Sequence, residues 1–102
     1  MKLYYSSGAC SLSPHIVLLE SGLPFTVEKT DLRTKKTAGG GDYYKINSKG
    51  AVPALQLDDG RVLTEGPAIV QYIADQKLAA GLAPAIGTIE RYELQEWLNF
   101  IS

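Results

Sequence analysis

Cysteine and histidine are scarce in this sequence, and so is any excess of charge. One cysteine and one histidine occur among 102 residues. A lone cysteine excludes an internal disulfide framework, and the pair is too few for a Cys/His metal cluster, so we expect no metal. Ten Lys+Arg stand against eleven Asp+Glu, a formal charge of −1. Without a basic excess, a nucleic-acid partner is not expected.

Long hydrophobic runs are also missing. The apolar stretches span only a few residues, so no membrane span and no membrane partner are predicted. Residues 1–5 (MKLYY) lack the apolar segment of a secretion signal, which favours a cytoplasmic location. The remaining composition, 45% hydrophobic and 21% charged, is typical of one globular domain.

The first third of the chain reads as strand, helix, strand. Residues 2–5 are rich in strand formers, and Ser13-Pro14 is a helix-start signal, with Ser13 as the predicted cap. Gly22 stands where a left-handed helix end is expected, and residues 25–30 alternate as a second strand. This order predicts a βαβ unit with parallel pairing.

The middle of the chain predicts an antiparallel hairpin followed by a helix. Residues 35–41 are interpreted as an exposed loop, and Asp42 as the cap of a short helix. Strands are predicted at 54–57 and 61–64, joined by the turn sequence DDG. A helix opens at residues 65–67 (EGP). The predicted fold class is therefore α/β, a βαβ–ββα domain with a four-stranded mixed sheet.

The last quarter of the chain predicts a linker and one helix. We divide the chain into a domain at 1–77, a linker at 78–87 and a helix at 88–102. That helix is apolar on more than one face: a stripe holds Leu94, Trp97, Leu98 and Ile101, whereas Ile89, Tyr92 and Phe100 lie off it. It could be a terminal helix packed on one side only. We favour cover by a partner or by a continuation of the chain, because an exposed aromatic patch is a liability.

Cys10 is the candidate reactive residue. It lies between the first strand and the first helix, where free N–H groups and the helix dipole favour the thiolate. The alternative is an inert cysteine packed in the core. Residues 10–13 (CSLS) offer no second cysteine, so a disulfide cycle would need an external thiol. His15 is expected to have a surface or packing role rather than to act as a general base.

Two further segments could bind a ligand. If the Val52-Pro53 bond is cis, the Val52 backbone would face outward and could pair with a peptide-like ligand, although an ordinary trans turn is the commoner case. Glu65 and Gly66 open a helix whose N–H groups suit a carboxylate, while the Glu65 side chain suits an ammonium group. Glu65 could equally serve only as an electrostatic cap.

Together these segments resemble the thioredoxin-like, glutathione-binding half of a glutathione S-transferase. The matching segments are residues 1–5 (MKLYY), 8–12 (GACSL), 50–55 (GAVPAL), 57–60 (LDDG), 63–69 (LTEGPAI) and 96–101 (EWLNFI). The segment GACSL is similar to the bacterial beta class in particular, and the chain resembles the glutathione transferases encoded with biphenyl-degradation pathways.

The resemblance implies a role for each candidate residue. Cys10 would lie beside the glutathione sulfur and could form a mixed disulfide with it. Val52, before a cis Pro53, would pair with the cysteinyl part of glutathione. Glu65 and the Gly66 N–H would hold the γ-glutamyl group. Position 66 is often serine in the family, so a hydroxyl contact is missing here.

The resemblance also implies three outer contacts and a larger protein. Lys35 would reach the glycine carboxylate, Tyr5 would line the cleft, and Asn99 would face the thiol. The family continues with an all-α domain of which residues 88–102 would be the first helix, so we expect activity to be impaired by truncation.

Three functions remain open at this point. The first is conjugation of glutathione, as co-substrate, to a small hydrophobic electrophile. The second is glutaredoxin-like thiol–disulfide exchange through Cys10, and the third is a non-catalytic binding module. Self-association through the last helix is expected in each case.

Overall fold

A computed structural model describes residues 1–101. Its strands are β1 (Lys2–Tyr5), β2 (Thr26–Asp31), β3 (Lys36–Thr37), β4 (Ala54–Gln56) and β5 (Val62–Thr64). Its helices are α1 (Leu12–Ser21), α2 (Gly66–Gln76) and α3 (Ile89–Ile101), and short 3-10 turns lie at Tyr43–Lys45 and Leu78–Ala80. Ser102, the predicted end of the last helix, lies outside the described residues.

The strands form one mixed sheet in the order β3-β2-β1-β4-β5. Strand β1 lies at its centre, parallel to β2 and antiparallel to β4. The βαβ–ββα order and the thioredoxin-like α/β fold are thus confirmed. The sheet has five strands rather than four, because Lys36 and Thr37 pair antiparallel with the end of β2. The predicted exposed loop at 35–41 is therefore wrong at these residues.

Helix α1 begins earlier than predicted. Its N-cap is Ser11 rather than Ser13, because the Ser11 carbonyl already accepts the first helical hydrogen bond, from His15 N at 3.1 Å. Pro14 still falls in the first turn, where a missing N–H breaks no helical bond. The helix ends at Gly22, whose φ of 72° is the predicted left-handed conformation.

The core lies between the sheet and the two helices that pack on one of its faces. It consists of Leu3, Leu18, Leu55, Ile69 and Ile73, each fully buried. Burial of a side chain of this size stabilises the fold by about 1.5–3 kcal/mol. This core holds α1 and α2 against the same face, and residues at the start of both helices, Ser13 and Gly66, line one cavity.

A smaller cluster covers the opposite face of the sheet. The ring of Tyr4 in β1 lies 5.7 Å from that of Tyr43, in the 3-10 turn that Asp42 caps as predicted. Tyr43 is fully buried and packs with Ala54. This cluster fixes the segment that leads into β4. None of the helices within residues 1–101 has the length and apolar character needed to cross a membrane.

Candidate functional site

Cys10 lies in a turn that Ser11 fixes. The Ser11 hydroxyl accepts from the Ser6 amide and donates to the Ser6 carbonyl, each at 3.1 Å. Ser11 is almost fully buried, whereas the neighbouring Cys10 is exposed. The turn therefore presents a free thiol directly before the N-terminus of α1, so the alternative of a cysteine packed in the core does not apply.

The turn that holds Cys10 is the first wall of a candidate site, and the segment before β4 is the second. The Ala51 carbonyl accepts hydrogen bonds from the Tyr43 hydroxyl and the Asn47 side-chain amide, each at 2.8 Å. Burial raises the pKa of Tyr43 above its ordinary value, which keeps the hydroxyl protonated as a donor. These bonds fix the chain immediately before Val52.

Val52 and Pro53 form the part of the site where the backbone is open to pairing. The bond between them is cis, as the family resemblance implied. Within residues 1–101, no hydrogen bond engages the Val52 amide or carbonyl. Both groups are strong hydrogen-bonding groups, so this backbone can pair with an extended ligand.

The third wall is the N-terminus of α2. Glu65 has a φ of 72°, a left-handed conformation that costs a non-glycine residue free energy and is concentrated at functional positions. Because Pro67 has no N–H, Gly66 and Ala68 supply the free donors of the first turn, while the Ile69 amide bonds the Glu65 carbonyl at 3.1 Å. This end of the helix attracts anionic groups.

Lys49 contacts Glu65 directly. Its ammonium donates to Glu65 Oε2 at 2.7 Å and to Thr64 Oγ1 at 3.1 Å. Both side chains of the ion pair are exposed, so the pair is weak and can be exchanged for a ligand. The contact shows that the Glu65 carboxylate is placed to receive an ammonium group.

One cavity of about 490 Å³ joins the three walls. Five predicted site residues line it: Cys10, Val52, Pro53, Glu65 and Gly66. A cavity of similar size, about 510 Å³, lies along β2 and β3 and contains none of the predicted residues. The chemistry therefore concentrates in the first cavity, which combines a thiol, an open backbone edge, a carboxylate and a helix N-terminus.

Three other predicted residues lie outside this lining. The ring of Tyr5 packs 5.9 Å from that of His15, which confirms the packing role of the histidine. Lys35 donates to the Gly50 carbonyl at 2.9 Å, next to a residue that lines the cavity. The Asn99 side-chain oxygen accepts from Gln95 Nε2 at 2.7 Å on α3. Their predicted roles in ligand binding stay predictions.

Sequence reasoning missed part of the lining. Ser13, Asn47, Leu98 and Ile101 all contribute to the cavity. Leu98 and Ile101 stand out in the sequence as members of an apolar stripe, but the stripe does not say which surface it faces. Asn47 gives no signal, because its function is to hold a carbonyl four residues away.

Comparison with known proteins agrees with this geometry. The family model "Glutathione S-transferase, N-terminal domain" matches residues 8–76. The structure of the ternary complex of BphK, a bacterial glutathione S-transferase, is similar at 67% identity and a TM-score of 0.98, covering 99% of this chain and 50% of that one.

Two structures of glutathione S-transferases from sphingomonads are also similar. One, complexed with glutathione, is 54% identical with a TM-score of 0.97, and it covers 99% of this chain and 50% of its own. The other, a beta-class enzyme of Sphingomonas chungbukensis, is 55% identical with a TM-score of 0.98 and the same coverage. The chain thus spans about half the length of each relative. It belongs to the glutathione S-transferase family, with the sequence segments and fold of the bacterial beta class.

Proposed function

We propose that this chain binds glutathione and forms the glutathione-binding half of a glutathione S-transferase. The observation that carries the proposal is the cavity that joins the Cys10 thiol, the open Val52 backbone and the α2 N-terminus. Glutathione carries a complementary set of groups: a thiol, an extended peptide backbone and an α-amino acid head. A sphingomonad relative of the same fold is complexed with glutathione.

The head group would bind where Glu65 and Gly66 meet. Its carboxylate would accept from the Gly66 amide at the N-terminus of α2, and its ammonium group would pair with the Glu65 carboxylate. The cysteinyl unit would pair with the Val52 backbone in the manner of an added strand. This pairing places the ligand thiol toward Cys10. Lys35, Tyr5 and Asn99 would make the outer contacts.

The chemical step would be nucleophilic attack by the glutathione thiolate. Its sulfur forms a bond to an electrophilic carbon, and a leaving group such as halide departs with the bonding electron pair. The α1 N-terminus stabilises the developing or resident negative charge on sulfur. No metal is required for this step.

Substrate, assembly and location are parts of the same proposal. The electrophile is a small hydrophobic molecule, the protein is cytoplasmic, and it associates with itself through α3. We divide the chain into a glutathione-binding domain at 1–77, a linker at 78–87 and a helix at 88–102, which the relatives, about twice as long, continue.

Calorimetric titration with glutathione tests the proposal. Glu65→Gln should weaken binding about tenfold or more, because a hydrogen bond between charged groups is lost. Glu20→Gln, which removes an exposed carboxylate from α1, is the matched control and should leave the affinity unchanged. If the unsubstituted chain shows no heat of binding, the proposal is wrong.

Thiol–disulfide exchange is the second candidate, because Cys10 is exposed. Its thiolate would attack the glutathione sulfur of a mixed disulfide, releasing the other thiolate and leaving glutathione on Cys10. A second glutathione thiolate would then release oxidised glutathione and restore Cys10. Reduction of a glutathione mixed disulfide by the chain, abolished in Cys10→Ser, would favour this function. Reduction that persists in the variant would exclude it.

A further inference from the structure

Arg91 is the one buried charged residue among those that the structure describes. It lies in α3, is 8% exposed, and makes two parallel bonds to Asp75 of α2, Nη1 to Oδ1 at 2.9 Å and Nη2 to Oδ2 at 2.6 Å. Its Nη1 also donates to the Pro84 carbonyl at 2.9 Å, and its Nε to Gln71 Oε1 at 3.0 Å. One guanidinium therefore connects α3 to α2 and to the segment between them.

The pair between Arg91 and Asp75 fixes the angle between α3 and α2 as well as the distance between them. A forked pair with a carboxylate is planar, so it defines how the two helices are oriented, which a lysine could not do. The hydrogen bonds and charge of Asp75 raise the pKa of Arg91 above its ordinary value, so the guanidinium stays charged.

A row of amides extends from Arg91 along α3. Gln71 accepts from Arg91 and donates to Gln95 Oε1, and Gln95 in turn donates to Asn99 Oδ1 at 2.7 Å. The α3 members, at 91, 95 and 99, recur every fourth residue and share one side of the helix. The row therefore runs from the ion pair to the end of α3 that reaches the cavity.

The apolar side of α3 borders an open cleft. Leu94 and Leu98 face Val17 of α1 and Val70 of α2, but a cavity of about 200 Å³ remains between them. Apolar side chains that border an open cleft keep part of their surface in water and therefore gain less from burial. Arg91 supplies directional contacts between α3 and α2 that the apolar side chains do not.

The position of α3 matters because Leu98 and Ile101 line the cavity that contains Cys10. We propose that Arg91 is a positioning residue: through its forked pair with Asp75 it holds α3 so that Leu98 and Ile101 form an apolar wall beside the thiol, which selects apolar electrophiles. This inference rests on the proposed function for its substrate class, but the wall itself can be measured without glutathione.

The rate at which Cys10 is alkylated in the 102-residue chain reports on the apolar wall beside the thiol. Rates are determined with an apolar reagent, N-phenylmaleimide, and a small polar one, iodoacetamide, and their ratio is divided by the ratio for N-acetylcysteine. In the unsubstituted chain we expect this relative ratio to exceed one by about threefold or more, since apolar contact favours the apolar reagent. Arg91→Lys and Asp75→Asn should return it toward one.

A mutant cycle separates positioning from general stability. Leu98→Ala should lower the ratio by itself, and Arg91→Lys added to Leu98→Ala should lower it no further, because Arg91 acts through the wall. Two controls should keep the original ratio: Arg61→Gln, which breaks the exposed ion pair with Asp59, and Ile73→Val, which weakens the core.

Two outcomes would overturn the inference. One is a relative ratio of one in the unsubstituted chain, and the other is an Arg91 effect that adds fully to that of Leu98→Ala. Failure to bind glutathione would instead refute the proposed function and leave these ratios as they are. The two proposals therefore fail separately.

Discussion

At the scale of single residues, Lys49 and the ligand compete for the same carboxylate. The Lys49 ammonium lies 2.7 Å from Glu65 Oε2, the group proposed to receive the ligand's ammonium. Lys49→Ala should therefore strengthen glutathione binding by about two- to fivefold, the strength of an exposed ion pair. Calorimetry measures the change, and Lys45→Ala, an exposed lysine in the neighbouring 3-10 turn, is the control. Weaker binding in Lys49→Ala would show that the lysine supports the site instead.

Gly50 adopts, in the segment before Val52, a backbone conformation that residues with a side chain rarely adopt. Its φ is 70°, and a Cβ there would lie 2.7 Å from Cε1 of Tyr44. Gly60 also has a positive φ, 90°, but no atom lies within 4 Å of its Cβ position. Gly50→Ala should therefore lower the free energy of unfolding by about 1 kcal/mol more than Gly60→Ala does. Urea denaturation measures both, and equal losses would contradict the predicted clash.

At the scale of elements, Glu28 ties the central strands to the edge of the sheet. Its carboxylate accepts from Lys2 Nζ of β1 at 3.0 Å and lies near Thr37 of β3. The hydrogen bonds of the Thr37 hydroxyl and of Lys2 lower the pKa of Glu28 below its ordinary value of 4.5. Because the pKa is lower in the folded state than in the unfolded state, the ionised carboxylate stabilises the fold at pH values above the unfolded-state pKa.

The stabilisation by Glu28 should be lost as the pH falls through its lowered folded-state pKa. Near neutral pH, Glu28→Gln should reduce the free energy of unfolding by about 0.5 kcal/mol. This difference should shrink in acid, where the wild-type carboxylate is protonated as well. Urea denaturation across the acid range measures it, with Glu20→Gln as the control. A difference that is constant with pH would attribute the loss to packing.

How far an element can be predicted depends on the range of the contacts that form it. Strand β1 and helix α2 lie where the sequence predicts, because their own residues carry the signals: strand formers in KLYY and the helix start EGP. Strand β3 was missed, since Lys36 and Thr37 lie in a glycine-rich segment and are strand only through pairing with β2. Its conformation is decided by a distant partner.

The site follows the same rule. Cys10, Val52, Glu65 and Gly66 occur in short motifs, and the structure brings them to one cavity. Lys49 and Arg91 carry no local signal, because their partners lie 16 residues away in the chain. The two pairs form only because the fold places α2 beside α3, and the start of α2 after β5 beside the loop that precedes β4.

At the scale of the whole molecule, α3 has one side that faces the domain and one side that is exposed. Leu94 and Leu98 face α1 and α2, whereas Ile89, Tyr92, Trp97, Phe100 and Ile101 are each more than 60% exposed. The rings of Trp97 and Phe100 form an edge-to-face pair with centroids 6.0 Å apart. The helix is apolar on more than one side, as predicted, but only Leu94 and Leu98 of the predicted stripe are half-buried, and its other members, Trp97 and Ile101, are exposed.

An exposed aromatic face of this kind favours association of the chain with itself. Sedimentation velocity over a range of concentrations should show dimers or larger species, and Trp97 fluorescence should shift to shorter wavelength as they form. Phe100→Gln should weaken association about tenfold, since the ring is 78% exposed and burying it removes apolar area from water. Glu96→Gln, on the same helix, should leave association unchanged or strengthen it slightly. A chain that sediments as a monomer at every concentration would show that aromatic exposure alone does not drive assembly, and association that survives Phe100→Gln would place the contact on another surface.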